Sequence, residues 1–380
     1  MTVPMVIAGT GAIASIGADA ASLYENLCAG RSGLAPLRRF APESHISRHA
    51  YEIDDGPGQP SGDTSGWLCA AITEAAAAAG LTEAELPGIP VLVGTGLRAL
   101  RRAEVWCTGG SALSAPDLHF GPVLRERFGC TEVHTVNNAC SAALYALGLG
   151  ADLLEADAHD TVLVAGVDTI TESMFGLLDR ANGLGVDRVR PFDAARRGVL
   201  MGEGAAAVVL RRRGPGRALL RSVALNCDAG HVTAPDGAGI RAAMREALAR
   251  ADIAPEEVGV VFAHGTGTQL NDRTEAEALT EIFGATARSG PLVTAIKSML
   301  GHTSGASGLH SLVVAVETLT HGVVPPILGL ETPAGEASTL RLCERATAAA
   351  GITVAQVDAF GFGGVNAVAL VEAASGTDAG

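Results

Sequence analysis

The chain has 380 residues, 48% of them hydrophobic and 48 of them glycine, enough for a large core in one big domain or two fused ones. A formal net charge of −14 and an aromatic content of 4% argue against general nucleic-acid binding. Mean hydropathy is +0.28, yet no apolar run approaches the roughly 18 residues of a membrane-spanning helix. Seven scattered cysteines, an odd number with no CxxC, disfavour a disulfide framework or a zinc site and point to a reducing cytoplasm.

The opening MTVPMVIAGTGAIASIG lacks a basic n-region and reads as a strand into a glycine turn, so no signal or transit peptide is expected. Its GxG is not a dinucleotide fingerprint, because the third glycine is displaced and no acid-ended strand follows at about 20 residues. Residues 20–29 read as a short helix, 41–66 as a polar loop, and 67–79 as an Ala-rich helix stopped by Gly80. A buried strand over 89–93 ends in GTG; 103–120 read as irregular, and Pro122 opens a helix that Gly129 stops. The polar approach His134–Asn138 leads through Cys140 into an uncharged helix and then the apolar strand 162–167. Residues 173–183 read as a helix or lid, and 205–211 as a strand.

The second half repeats the alternation. Strands are expected at 219–225, 258–263, 292–296 and 367–372, with helices at 239–251, 274–283 and 307–319. Short buried strands alternating with helices imply an α/β fold with both sheet faces covered. GAAAVVLRR (204–212) and NAVALVEAA (366–374) look alike, which suggests two fused halves, 1–215 and 216–380.

The chemistry concentrates after strand ends, where α/β folds tend to place sites. A thiol at a helix start meets unpaired N–H groups and partial positive charge, which favour thiolate and can hold an oxyanion. His264 follows four apolar residues and precedes GTGT, with Asn271, Asp272 and Glu275 opening the next helix. Lys297 and His302 flank the loop before the next, and Phe362 lies in a Gly-Phe-Gly-Gly turn. Zinc would suit His264 and His302, but no third ligand stands at a convincing spacing. A small core cysteine, a hydrogen-bonded histidine and a solvated lysine are the ordinary readings of each taken singly. Together they fit a thiolate that takes an acyl group.

With these stretches in view, nearly the whole chain resembles a β-ketoacyl synthase of the fatty-acid and type II polyketide kind. The resemblance rests on GTGAIASIGADAASLYENLCAGRSGLAPLRRF, NNACSAAL, RPFDAARRGVLMGEGAAAVVL, HGTGTQLNDRTEAEAL, IKSMLGHTSGASG and FGFGGVNA, in matching order and spacing. It implies a thiolase-like fold of two similar halves in layers αβαβα. It implies Cys140 as nucleophile, His264 and His302 at the malonyl carbonyl, and Lys297 supplying charge. The N–H groups of Cys140 and Phe362 would form the oxyanion hole. Phe362 would gate malonyl entry within the turn containing Gly363 and Gly364, while Asn366 and Glu275 brace the site. It implies no cofactor and no metal. An acyl carrier protein would be the partner, docked by local arginines drawn from Arg98, Arg101 and Arg102, Arg196 and Arg197, or Arg211–Arg213. A homodimer, or a heterodimer with a related subunit, is implied as well.

Three features depart from the family pattern. NNAC replaces Thr-Ala-Cys, the interval from residues 94–96 to Cys140 is short, and Ser311 stands where a glutamate is usual. These favour specialised metabolism over housekeeping fatty-acid synthesis. The alternatives are a same-fold acyltransferase or thiolase acting without decarboxylation, or a chain-length-determining subunit. A thiolase would need a second cysteine in a glycine-rich turn, and Cys343 sits instead in LRLCERA.

Overall fold

The computed structural model describes residues 3–55, 62–110, 112–284 and 290–374. Residues 56–61 of the expected 41–66 loop therefore lie outside the described residues. Up to residue 211 the strands are β1 (Met5–Ala14), β2 (Ala35–Pro36), β3 (His49–Ala50), β4 (Val91–Thr95), β5 (Val133–Asn137), β6 (Thr161–Asp168) and β7 (Gly204–Arg211). The helices among them are α1 (Ala20–Cys28), α2 (Thr64–Ala78), α3 (Leu100–Cys107), α4 (Gly121–Phe128), α5 (Ala142–Glu155) and α6 (Glu172–Asn182).

Beyond residue 211 come β8 (Ala218–Cys227), β9 (Val260–Phe262), β10 (Leu292–Thr294), β11 (Val323–Val324), β12 (Arg341–Leu342), β13 (Thr347–Ala348), β14 (Val354–Gly361) and β15 (Val365–Ala373). Their helices are α7 (Gly237–Ala251), α8 (Gln269–Phe283), α9 (Lys297–Leu300) and α10 (Ser307–His321).

One mixed sheet runs β12-β10-β9-β14-β15-β8-β1-β7-β6-β4-β5. Outward from the antiparallel β8–β1 pair the two wings follow one plan. On one side β1, β7 and β6 are antiparallel and β6, β4 and β5 are parallel. On the other, β8, β15 and β14 are antiparallel and β14, β9 and β10 are parallel. The look-alike stretches at 204–212 and 366–374 are β7 and β15, which hold corresponding places.

Helices α5 and α10 lie between the wings and touch strands of both, while α2 covers one outer face and α7 the other. This is the αβαβα layering of the thiolase-like fold. Every residue of α10 from Ser307 to Thr318 is buried, as a middle layer requires. The glycines of the opening stretch were expected in a turn, but Gly9 and Gly11 lie inside β1. A methyl on either would fall 2.2 Å from a carbonyl oxygen of α2, so these glycines let that helix approach the sheet.

Three further expectations are corrected. Residues 103–120 are not wholly irregular, because α3 occupies their start. Its inward face is polar, with Arg101 bonded to Glu104 and to the Arg39 carbonyl, so no apolar period marks it. The polar approach before Cys140 is the strand β5, half-exposed because it is the sheet edge. β14 went unread between the 307–319 helix and the final strand, although seven of its residues are buried.

Candidate active site

Two triplets of parallel strands, β6-β4-β5 and β14-β9-β10, end on the same cavity, and each candidate site residue named next follows one of those ends. Cys140 follows β5, His264 follows β9, Lys297 and His302 follow β10, and Phe362 follows β14. The cavity has a volume of about 520 Å³ and is lined by Cys140, His264, His302, Phe362, Gly364 and Asn366 among others. The lining also includes apolar side chains of α6 and α8, Met174, Leu178 and Leu270.

Cys140 sits in a tight turn, residues 139–141, that runs directly into α5. Ala139 before it adopts φ 47°, which L-residues rarely hold. The thiol sulfur and one ring nitrogen each of His264 and His302 lie within 4.8 Å of one another. Spacing offered no third metal-type ligand beside the two histidines; the fold brings in Cys140. The imidazole rings meet edge to face, 5.4 Å between centroids, and Phe360 packs against His264 at 5.8 Å.

Lys297 is buried and donates to the His264 carbonyl at 2.5 Å, with Nδ1 of the same ring 3.3 Å away. An ammonium at Nδ1 makes that atom the acceptor, so the ring proton belongs on Nε2. Burial, helped by the charge of Lys297, holds both histidines well below the ordinary imidazole value, so both are neutral. Both ring nitrogens of His302 are buried and find no protein partner among the described residues. His302 is held by its backbone instead, donating to the Leu200 carbonyl at 2.9 Å and accepting from Gly202 N–H at 3.0 Å.

Burial also depresses Lys297, to about 8, against the opposing pull of Glu275. Glu275, raised by burial to about 7, accepts from the N–H groups of His264 (2.6 Å) and Gly265 (2.8 Å). It therefore braces the His264 turn from below. No carboxylate among the described residues forms an ion pair with Lys297; Glu275, Asp272 and Asp358 act on it through space. Ser311, where an acid is usual, is buried in α10. Asp358, on β14, is held far above the ordinary carboxyl range by burial and by Glu275.

The thiol overturns one expectation. A helix start was expected to favour thiolate, but enclosure of the sulfur pushes Cys140 up to about 11. Lys297 and the N–H groups of Phe362 and Cys140 pull the other way without prevailing. Cys140 is half-buried as a residue, and its thiol is protonated at rest.

Phe362 is 43% exposed, at the rim. Gly363 and Gly364 take φ 90° and 76°, and the Gly363 N–H donates to Val232 O at 2.7 Å. Asn366 is buried and donates to Asp228 and Asn226 at 2.7 and 2.9 Å, fixing β15 beside the turn.

Some candidates lie elsewhere. Arg101 is internal, and Arg196 is buried against Glu336 at 2.5 Å. Arg212 pairs with Asp157 and Arg102 with Asp117. Arg197 alone of the arginines in these patches lines the cavity. Cys343 is buried in the core away from the cavity lining. Sequence reasoning missed Asp168, the last residue of β6; an acid closing an apolar strand is the signal that marks it.

Two family models match in tandem: the β-ketoacyl synthase N-terminal domain over residues 130–214 and the C-terminal domain over residues 217–331. The "Nodulation protein E" of Rhizobium meliloti (strain 1021) is 30% identical, over 96% of this chain and 98% of its own length. The chain belongs to the β-ketoacyl synthase family. This synthase is also similar to "3-oxoacyl-[acyl-carrier-protein] synthase 2" of Coxiella burnetii, at 27% identity over 95% of this chain and 96% of that one. Among solved structures, "The ishigamide ketosynthase/chain length factor" has a TM-score of 0.87 and 30% identity, covering 99% of this chain and all of that chain. The synthase is thus an acyltransferase with a thiolase-like fold, and no helix among its described residues is long and apolar enough to cross a membrane.

Proposed function

We propose that Cys140 carries the growing acyl chain and that His264 and His302 drive condensation with a malonyl thioester. The grouping of the thiol with both imidazoles within 4.8 Å, at the end of one cavity, carries this reading. In the first step sulfur bonds to the acyl carbon, the thiol proton passes to a neighbouring imidazole, and the carrier thiol leaves with it. The developing oxyanion lies between the N–H groups of Cys140 and Phe362, which a low-dielectric cavity strengthens.

In the second step the malonyl carboxylate leaves as CO2 and its electron pair enters an enolate. Neutral imidazoles suit that step, because they donate N–H to the enolate oxygen without protonating its carbon. The enolate carbon then attacks the acyl carbonyl, the bond from sulfur to the acyl carbon breaks, and the departing thiolate takes a proton from solvent. Lys297 fixes the tautomer of His264, Glu275 and Asn366 brace the neighbouring turns, and Phe362, Gly363 and Gly364 form the gate.

The carrier would be an acyl carrier protein, met by Arg197 of the cavity lining, and the setting a polyketide or specialised fatty-acid pathway. We further propose that residues 1–215 and 216–380 are the two fused halves. The chain would act as a dimer with itself or a related subunit, in the cytoplasm.

Incubation with acyl- and malonyl-carrier proteins, with intact protein and product followed by mass, tests the reading. An acyl adduct on Cys140 and a β-ketoacyl product are expected. No adduct at any chain length removes the nucleophile assignment, and an adduct without CO2 release favours plain acyl transfer. Activity that appears only with an added related subunit favours the heterodimer.

A further inference from the structure

Asp168 closes β6 and is completely buried. Its Oδ1 accepts from Thr95 Oγ1 at 2.7 Å and Leu97 N–H at 2.9 Å. Its Oδ2 accepts from Gly96 N–H and Gly305 N–H, both at 2.7 Å. Four donors meet the four acceptor directions of one carboxylate. Three come from the end of β4 and the turn after it and the fourth from the turn before α10, so one side chain fastens two distant parts of the chain.

The nucleophile turn rests on the same knot. A methyl on Gly96 would lie 3.2 Å from Gly305 N and 3.4 Å from both Asp168 Oδ2 and the Ala139 carbonyl. Ala139 immediately precedes Cys140. Ala139 and Ser304, in the two turns flanking Gly96, are both at φ 47°. Such backbone persists only where its surroundings hold it.

We propose that Asp168 is a positioning residue for Cys140: its carboxylate holds the Gly96 and Gly305 turns together as the seat of the nucleophile turn. This rests on the reading of Cys140 as the acyl-carrying nucleophile. An asparagine does not replace it, because the amide would aim N–H groups at two of the four donors. The charge has a separate effect. Asp168 opposes ionisation of the thiol, whereas Lys297 favours it, and His264 and His302 are the other titratable groups beside the sulfur. Removing the carboxylate therefore eases thiolate formation while loosening the seat, so two readouts move in opposite directions.

The test compares Asp168→Asn and Thr95→Val with the wild-type chain. Alkylation of Cys140 by iodoacetamide is followed between about pH 7 and about pH 11 by site-resolved mass spectrometry, since Cys107 and Cys227 are exposed. Condensation kcat and KM are measured in parallel. For Asp168→Asn the alkylation profile is expected to move down by roughly half to one pH unit, and kcat to fall at least about tenfold with KM nearly unchanged. Thr95→Val keeps the charge and loses one donor, so kcat should fall by about two- to fivefold with the alkylation profile unmoved.

Wild-type kcat in Asp168→Asn overturns the proposal, and so does a fall in kcat with no shift in alkylation. If Asp168→Asn does not fold, wild-type kcat in Thr95→Val overturns it. Should the wild-type chain take no acyl group on Cys140, the site reading has failed; the alkylation arm still reports whether Asp168 faces the thiol.

Discussion

The turn that carries Cys140 and the turn before α10 are built alike. Each comes after a parallel strand, passes a non-glycine residue at φ 47°, tightens into a short helical turn and enters a helix of the middle layer. They differ in the residue next to the left-handed one: Cys140 after Ala139, Gly305 after Ser304. The thiol opens on the cavity, whereas the glycine is walled in and spends its N–H on Asp168. They differ also in length. Only Asn138 separates β5 from Ala139, but residues 295–303 separate β10 from Ser304, and that extra stretch brings in Lys297 and His302. One scaffold thus turns a thiol onto the cavity at one site and, at the matching site, gives an N–H to Asp168, the residue proposed to seat that thiol.

The comparison can be broken most severely at the thiol. Cys140→Gln should lower condensation by at least about a thousandfold while malonyl decarboxylation continues, since His264, His302 and Lys297 remain. CO2 release and product mass measure the two separately; loss of both would show that the two turns do not divide the work. Next, Gly305→Ala puts a methyl 2.4 Å from Gly96 N, and chemical denaturation should report about 3 kcal/mol or more of lost stability. Gly96→Ala, whose methyl meets its neighbours at 3.2 Å or more, should cost about 1 kcal/mol.

A smaller effect is expected from pH. Lys297 loses its proton as pH rises through about 8, so decarboxylation that needs its charge should decline above that point, at about tenfold per unit. A profile flat to pH 10, about the ordinary lysine range, would remove the charge of Lys297 from the mechanism. The smallest change should come from Ala139→Gly and Ser304→Gly. Each relieves a left-handed residue but frees the unfolded chain, so the unfolding free energy from chemical denaturation should change by no more than about 1 kcal/mol, alike in both. Unequal shifts would mean that the two turns are strained to different degrees.

The candidate site was legible because its residues are chemically rare and stand in or beside glycine-rich stretches, and because His264, Lys297 and His302 follow short apolar strands. Cys140, His264, Lys297, His302 and Phe362 announce themselves by type as well as place. The hidden elements lacked such contrast. β5 is an edge strand with polar residues interleaved, α3 turns Arg101 and Glu104 inward, and Gly9 and Gly11 look like a turn when read without their helix. The thiol's protonation was misjudged because a helix start is visible in sequence while enclosure of a sulfur is not. Asp168 was passed over as the end of a strand; its four donors come from residues 95–97 and 305, and only folding assembles them.

Gly9 and Gly11 carry a consequence for anyone scanning this chain by mutation. They lie on the far side of the sheet from the chemistry, yet any side chain there would strike the backbone of α2. An activity screen will score them as intolerant as Cys140. Counting inactive substitutions will therefore draw two hot regions, one at the cavity and one along the β1–α2 seam. Only a parallel measure of how much folded protein each variant yields will tell a broken reaction from a displaced helix.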